Sequence, residues 1–248
     1  GCEDTKWCAL LGLVMDGDTP RQLDGKPDGR IFLIRTADID ISPTWQAAAA
    51  MRGTGSNAVS VDNVFVPEGF TYTLAKPLVV DRPLYHLSLG LLFFPNVAAI
   101  ACGVLETALR SATDDLSSKV ASYSGQTLRD QAPIQELIAN SDAALRAARS
   151  GVRDATDAVW KVGCTGTEVP QRLKAGLYAA SFYAIESVRE TIGRLFARGT
   201  RDAFLQGHPV ERALRNLHAI AFGVEGTRIL QHSAGRVLLG GEPLDPSF

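Results

Sequence analysis

Long apolar stripes in the last two thirds of the chain constrain its fold more than any other feature of the sequence. From about residue 83 onward, aliphatic side chains recur three, four and seven positions apart in four successive segments. Residues at this spacing share one face of an α-helix. Helices of such length, roughly thirty residues, bury those faces by packing against one another. The pattern predicts an antiparallel four-helix bundle whose helices begin at Pro83, after Asp130, around Glu168 and after Pro209.

The first eighty residues have a different pattern, which is typical of β-structure. Short runs of β-branched and aliphatic residues, at 8–15, 31–35 and 59–66, are separated by segments rich in glycine, proline and aspartate. In the third run Asp62-Asn63 interrupts the alternation, which indicates a bulge or a change of register. So few strands make a poor independent sheet, and we expect them to be part of a β-barrel or sandwich. The predicted fold class is α+β, a partial β-domain followed by the antiparallel four-helix bundle.

The composition argues against several classes of function. The chain has 248 residues, is 46% hydrophobic and carries a net charge of -2. This near balance gives no electrostatic support for binding to nucleic acid or to an anionic membrane surface. The four cysteines are scattered, without a C-x-x-C pair or a nearby histidine cluster, so neither a metal site nor a disulfide framework is expected. Reduced thiols are typical of a cytoplasmic protein.

The apolar run at 87–105 allows two interpretations. Its length could span a bilayer, which needs about 20 apolar residues. However, Ser88, Pro95 and Asn96 interrupt it, and its basic flanks are thin. We therefore interpret the run as a helix buried within the bundle rather than as a membrane span.

Four segments, in this order and spacing, resemble the acyl-CoA dehydrogenase superfamily across the whole chain. Within the superfamily the chain is most similar to the type 2 branch of reduced-flavin-dependent monooxygenases, which includes dibenzothiophene monooxygenase. The segments are Gly1-Cys2 with Trp7 and an aliphatic strand; Trp45 with Met51-Arg52-Gly53-Thr54-Gly55-Ser56-Asn57 and Val64-Phe65-Val66-Pro67; Ala197-Arg198-Gly199-Thr200; and Arg212 and Arg215-Asn216 with Gly235-Arg236-Val237-Leu238-Leu239-Gly240.

This resemblance implies a domain organisation and a set of partners. Residues 1–80 correspond to the C-terminal part of the middle β-domain and residues 81–248 to the C-terminal four-helix bundle domain. The N-terminal helical domain is absent from this chain. A Ser or Thr that contacts flavin in relatives falls at or just before Gly1, so the fragment alone is expected to bind FAD or FMN poorly. The resemblance further implies a homotetramer, or a heteromer with a chain that supplies the missing half, and a flavin reductase as partner.

The segment from Arg52 to Asn57 is a polar, glycine-rich link between two strands. Its glycines permit close approach to a planar ring, and its side chains offer hydrogen-bond donors and acceptors. The resemblance places Arg52, Thr54 and Ser56 beside the flavin ring or the substrate, and Trp45 against the flavin. The alternatives are a polar β-turn and a tryptophan that fills the core.

A basic turn follows the third helix. An arginine at this place can bind a phosphate through two N–H groups, while a glycine lets the chain turn tightly. The resemblance assigns Arg198 and Gly199 to the flavin phosphate, whereas the alternative is an ordinary helix C-cap. Lys119 falls where relatives have a further basic flavin contact, often from a neighbouring subunit. The Arg-x-Gln-Phe-Gly pattern of true dehydrogenases is replaced there by Lys119-Val120-Ala121-Ser122-Tyr123, which counts against that branch.

The last helix carries the candidate catalytic residues. Gly223 stands where the monooxygenase branch has a histidine, eight residues after Arg215. His218 is the nearby candidate, although it lies about 140° around the helix and could be an ordinary surface histidine. Dehydrogenases have a Glu before Gly-Thr, and Glu225-Gly226-Thr227 matches this pattern one residue further along than usual. Glu225 is thus a candidate base, which requires burial beside the flavin, or a solvated charge.

The residues leave three functions open. The first is a monooxygenase-like flavin-dependent oxidoreductase that uses reduced flavin and O₂ on a small organic substrate. The second is an acyl-CoA dehydrogenase that forms an α,β-double bond with Glu225 as base. The third is a non-catalytic subunit paired with a flavin-binding partner, which the glycine at position 223 would fit.

Overall fold

The chain forms two structural units, Gly1–Val79 and Val80–Phe248. The computed structural model describes residues 1–23, 25–73, 80–245 and 248. The described strands of the first unit are β1 (Trp7–Leu13), β2 (Met15–Asp16), β3 (Thr19–Pro20), β4 (Gln22–Leu23), β5 (Lys26–Pro27), β6 (Gly29–Arg35), β7 (Asp40–Ser42), β8 (Ala58–Ser60) and β9 (Thr71–Tyr72).

A three-stranded antiparallel sheet organises the first unit. Strand β6 lies in its middle, paired with β1 on one side and with β9 on the other. Trp7 lies opposite Arg35 in the β1–β6 register, and the pairs β2–β3, β4–β5 and β7–β8 are also antiparallel. Cys8, Ile34 and Ile39 form a small buried core. A core of this size agrees with the expectation that these strands are part of a larger sheet.

The predicted strand at 59–66 is wrong beyond Ser60, where β8 ends. Asn63 adopts a left-handed backbone with φ 49°, which breaks the extended conformation. Val61, Val64 and Val66 nevertheless pack against the small core. The apolar alternation therefore reflected burial in a loop rather than pairing in the sheet.

The second unit is helical, with α1 (Leu89–Ser118), α2 (Ala132–Gly163), α3 (Gln171–Arg198), α4 (Pro209–Glu225) and α5 (Arg228–Leu238). Helix α3 contacts all four other helices and is the centre of the bundle. Its side chains with at most 2% exposure are Ala175, Leu177, Tyr178, Ser181, Ala184, Ile185, Val188, Thr191, Ile192 and Leu195. Helices α1 to α4 pack on one another as the predicted antiparallel four-helix bundle, and the α+β fold class is confirmed.

Two helix boundaries differ from the sequence prediction. The first helix begins at Leu89, because Leu87 and Ser88 are extended after a short 3₁₀ turn at Pro83–His86. The predicted fourth helix is two helices, since the chain breaks at Gly226-Thr227. There the Thr227 amide and hydroxyl both donate to the Val224 carbonyl, at 3.0 and 2.6 Å, which closes the end of α4.

Among the described helices, α1 is long and apolar enough to cross a membrane by length and composition alone. In the structure one side of it is buried in the bundle, including Leu91, Phe94 and Leu105. The opposite side exposes Leu89, Phe93 and Ile100, which are 65%, 52% and 57% accessible. We call these three residues the α1 stripe.

Candidate functional site

The loop between β7 and β8 is a compact hydrogen-bonded structure. Trp45 lies in a 3₁₀ turn at Thr44–Ala47 and is half-buried. Its indole Nε1 donates to the Met51 carbonyl at 3.0 Å, and its backbone N–H donates to Asn57 Oδ1 at 2.9 Å. The side chains of Trp45 and Asn57 thus fix the glycine-rich segment from both ends.

Within this loop the backbone turns through two left-handed residues, Met51 with φ 51° and Gly55 with φ 53°. The Thr54 hydroxyl donates to the Met51 carbonyl at 2.9 Å and lies 2.8 Å from the Ser56 hydroxyl. The Gly1 amine donates to the Gly55 carbonyl at 2.8 Å. A Cβ on Gly55 would approach the Gly1 nitrogen to 3.0 Å, so glycine permits this contact. The structure therefore brings the Gly1 segment against the loop that the sequence predicts to face flavin.

Three of the predicted cofactor contacts in this loop are accessible. The side chains of Arg52, Thr54 and Ser56 are exposed. Within the described part of the chain, the Arg52 guanidinium has no hydrogen-bond or ion-pair partner. The loop thus presents a cation and two hydroxyls on a fixed backbone.

The basic turn directly follows α3. A Cβ on Gly199 would lie 2.6 Å from the Leu195 carbonyl oxygen, so a larger residue does not fit without movement. Arg198 is the last residue of α3, is exposed, and has no side-chain partner among the residues that the structure describes. An exposed guanidinium of this kind is suited to an external anion.

Lys119 lies in a cluster of charged groups and is not free. Its Nζ donates to Asp202 Oδ2 at 2.6 Å and to Thr200 Oγ1 at 3.3 Å, and lies 3.3 Å from Asp115 Oδ1. The hydrogen bond that Lys119 donates to Asp202 is the main cause that raises the pKa of Lys119, and the same bond lowers the pKa of Asp202. The buried Thr200 also donates to Asp115 Oδ2 at 3.3 Å.

His208 completes this group, which we call the Asp115 cluster: Asp115, Lys119, Thr200, Asp202 and His208. The His208 Nδ1 accepts the Val210 amide at 3.2 Å and thereby caps α4. Because Nδ1 accepts, Nε2 carries the proton and donates to Asp115 Oδ2 at 3.0 Å. No pattern in the sequence predicted Asp115, Asp202 or His208 as part of a site. Only the four-residue spacing of Asp115 and Lys119 was a readable signal for this cluster.

The candidate catalytic residues His218 and Glu225 lie on one exposed face of α4. They are seven positions apart, which is about 20° around a helix. Gly223 is about 140° around the helix from His218 and lies on a different face. Arg228 Nε donates to Glu225 Oε1 at 2.6 Å, and the Glu225 side chain is 54% exposed. A base for α-proton abstraction needs a buried, unpaired carboxylate, so this environment is the opposite of the one required.

An apolar groove of about 530 Å³ runs between α1 and α2. It contains none of the predicted site residues. Its lining includes Leu87, Leu91, Pro95, Val152, Trp160 and Leu177.

Comparison with known families identifies the helical unit. The family model described as Acyl-CoA dehydrogenase, C-terminal domain, matches residues 96–222, just over half of the chain. The chain belongs to this family. The resemblance inferred from the four segments is thereby confirmed.

One curated relative of this acyl-CoA dehydrogenase family member is the oxygenase subunit HsaA of a flavin-dependent monooxygenase from Rhodococcus jostii (strain RHA1). It is 28% identical over 233 residues, which are 88% of this chain and 58% of the relative. The chain therefore spans well under two thirds of that relative's length.

Two solved structures share the fold. XiaF from Streptomyces sp., in complex with FADH₂ and glycerol, has a TM-score of 0.82 at 20% identity and is matched over 100% of this chain and 63% of that chain. The dibenzothiophene monooxygenase TdsC from Paenibacillus sp. A11-2, in complex with FMN and indole, has a TM-score of 0.75 at 17% identity, over 97% and 61%.

The residues of this family member fit a flavin in two respects. The exposed Arg198 guanidinium is available for a phosphate, and Gly199 lets the chain pass close to the Leu195 carbonyl oxygen in that turn. The loop at 51–57 offers exposed hydroxyls and a cation on a backbone that internal hydrogen bonds hold in place. The two groups of residues belong to different units of the chain.

Proposed function

We propose that this chain is part of a flavin-dependent monooxygenase that uses reduced flavin and O₂ on a small organic substrate. The observation that carries the proposal is the exposed Arg198 guanidinium beside Gly199, a site suited to an anionic phosphate. The relative from Rhodococcus jostii is a flavin-dependent monooxygenase. Neighbours of the same fold hold FADH₂ and FMN, which supports FAD or FMN as the cofactor.

Each group of residues has a distinct role in this proposal. Arg198 binds the flavin phosphate through its N–H donors, and Gly199 lets the backbone turn there. Trp45, Arg52, Thr54 and Ser56 line the flavin ring or the substrate. The flavin, when bound, supplies the electrons that activate O₂.

Acyl-CoA dehydrogenation receives no support from the structure. Glu225 is paired with Arg228 and half-exposed, whereas α-proton abstraction needs a buried, unpaired carboxylate. We infer that Glu225 and His218 contribute to the charged surface of α4 rather than to proton transfer.

Anaerobic titration of the full-length protein with reduced flavin, followed by mixing with O₂, tests the proposal. We expect flavin binding and incorporation of ¹⁸O from ¹⁸O₂ into an aromatic or organosulfur substrate. Arg198→Ala should raise the flavin Kd about 10- to 100-fold, because one charge-assisted contact is lost. The control Arg172→Ala removes an exposed arginine at the opposite end of α3, about 39 Å away.

Other outcomes separate the alternatives. Glu225→Gln should change flavin binding and oxygenation less than about twofold, as expected for an exposed ion pair. Bleaching of oxidised flavin by an acyl-CoA, abolished in Glu225→Gln, would establish the dehydrogenase instead. Absence of flavin binding would leave the non-catalytic subunit.

We further propose a domain assignment and a location. The unit Gly1–Val79 is the C-terminal part of a middle β-domain, Val80–Phe248 is the C-terminal bundle domain, and an N-terminal helical domain lies outside this chain. The match to only 58% of the relative from Rhodococcus jostii supports this assignment. The four cysteines are free thiols, which supports a cytoplasmic location.

The partners we propose are further copies of this chain and a flavin reductase. The α1 stripe exposes three large apolar side chains on one helix face, which supports a homotetramer or another oligomer. The relative is named as the oxygenase subunit of its enzyme, which supports a separate reductase that delivers reduced flavin.

A further inference from the structure

The Asp115 cluster joins three elements that are far apart in sequence. Asp115 and Lys119 are at the end of α1, Thr200 and Asp202 follow α3, and His208 begins α4. Asp115 accepts from Thr200 and His208 and lies 3.3 Å from the Lys119 ammonium. The cluster therefore determines where the chain runs immediately after Arg198 and Gly199.

The charges within the cluster determine whether the Lys119 ammonium is available to bind a phosphate. Two carboxylates, Asp115 and Asp202, surround one ammonium, and His208 is in a neutral tautomer because its Nδ1 accepts the Val210 amide. The described members therefore sum to a net negative charge. An external phosphate would meet an ammonium that is already neutralised by 2.6 and 3.3 Å contacts.

We propose that Lys119 is a positioning residue, which acts on flavin affinity through Asp202 and the Arg198–Thr200 turn rather than by touching the flavin. This inference rests on the proposed function and deepens it. It replaces the direct flavin contact that the resemblance implies for Lys119. Lys119 holds Asp202 and the buried Thr200, which is adjacent to Gly199. The turn is thereby ordered before flavin arrives, and less conformational entropy is lost on binding.

The two roles for Lys119 predict opposite effects of Asp202→Asn. If Lys119 bound the phosphate directly, removing the Asp202 charge would release the ammonium and reduce repulsion, so flavin would bind more tightly. If Lys119 acts through Asp202, the same substitution loosens the turn and flavin binds more weakly. Lys119→Met lowers affinity in both cases, so Asp202→Asn is the decisive variant.

The experiment measures the Kd of FAD and of FMN for the full-length protein by quenching of flavin fluorescence. We expect Lys119→Met and Asp202→Asn each to raise the Kd about three- to tenfold, since the pair is partly exposed. The double variant should be no weaker than either single variant, because both act through one interaction. Lys119→Arg and Asp202→Glu keep the charges and should restore most of the affinity.

A second readout follows the turn itself, independently of flavin. Hydrogen exchange at the amides of residues 200–205 should be faster in Lys119→Met and Asp202→Asn without ligand, while the α3 core is unchanged. The matched controls are Lys161→Met, an exposed lysine in the last turn of α2, and Asp154→Asn, an exposed carboxylate on α2. Both controls should leave the Kd and the exchange unchanged.

Each outcome bears on a specific claim. Tighter or unchanged flavin binding in Asp202→Asn, with weaker binding in Lys119→Met, would overturn the positioning role and leave the proposed function intact. No flavin binding by the wild-type protein would overturn the proposed function and this inference together. If a variant fails to fold, Asp202→Glu and the exchange measurement on Lys119→Arg still report on the pair.

Discussion

At the scale of single residues, the turn after α3 has no room for a side chain at Gly199. Gly199 has φ -77° and ψ -157°, which any residue can adopt, so backbone strain is not the reason for glycine here. The reason is contact, because a Cβ would lie 2.6 Å from the Leu195 carbonyl oxygen.

Gly199→Ala should therefore destabilise the protein by about 1–3 kcal/mol, the usual cost of forcing atoms into a packed site. Gly193→Ala is the matched control on the same helix, since nothing lies within 4 Å of its added Cβ. That control should stabilise the helix by about 0.5–1 kcal/mol. Urea unfolding of both variants measures the difference, and equal stabilities would contradict this account of Gly199.

Residue identities were only partly predictable. Arg198, Gly199 and Lys119 were singled out through the resemblance, and their roles in flavin binding stay predictions. The partners of Lys119 were not predictable, because Asp202 is 83 positions away and only the folded bundle brings it to the ammonium. The exposure of Glu225 was likewise set by tertiary packing and by Arg228, which a spacing count could not reveal.

At the scale of elements, a buried carboxylate joins the start of β6 to the segment between β3 and β4. Asp28 precedes β6, is 1% exposed, and accepts from Arg30 Nε at 3.1 Å and from Arg21 Nε at 3.0 Å. The hydrogen bonds from Arg30 and then Arg21 lower the pKa of Asp28 below its usual 3.8. The folded state thus favours the ionised carboxylate more than the unfolded chain does.

This linkage fixes the sign of a pH effect. Because the folded pKa is depressed, the stabilisation is present above pH 3.8 and is lost as the pH falls through the lower folded pKa. Asp28→Asn should be less stable than wild type at neutral pH, and the gap should close below pH 3.8. Denaturation midpoints of both proteins at several pH values measure this difference in stability. Asp18→Asn, which alters an exposed carboxylate in the β2–β3 turn, is the matched control variant.

Elements with strong local periodicity were predictable from sequence, and those defined by long-range contacts were not. The spacing of apolar residues located α2 and α3 within a few residues. The helix break at Gly226-Thr227 was not predicted, because the apolar spacing continues on both sides of it. The strand predicted at 59–66 failed after Ser60, where packing on the small core replaces strand pairing.

At the scale of the whole molecule, the α1 stripe is the surface through which we propose that copies of this chain associate. Its residues Phe93 and Ile100 are seven positions apart and exposed on one helix face, and Thr107 continues that face as a polar residue. In an oligomer built on this face, the two apolar side chains are removed from water.

Phe93→Glu and Ile100→Glu should therefore lower the mass measured by sedimentation velocity at micromolar concentration. Each substitution places a charge in the contact and weakens association by about 2–4 kcal/mol. Ser150→Glu is the control, since it adds the same charge at an exposed polar position on α2, and it should leave the mass unchanged. A wild-type protein that sediments as a monomer, or an unchanged mass in both glutamate variants, would contradict the role of the α1 stripe.

Asp115 has a consequence for how this protein can be altered. Its carboxylate contacts the Lys119 ammonium and accepts hydrogen bonds from the Thr200 hydroxyl and the His208 imidazole, which lie in three separate helices or turns. A substitution at any one of these four groups would leave a hydrogen-bond or charge partner of the others without its contact. We therefore expect substitutions at these positions to occur together in homologous chains. A protein engineer who grafts the Arg198 turn onto another bundle should transfer all five residues of the cluster as one block.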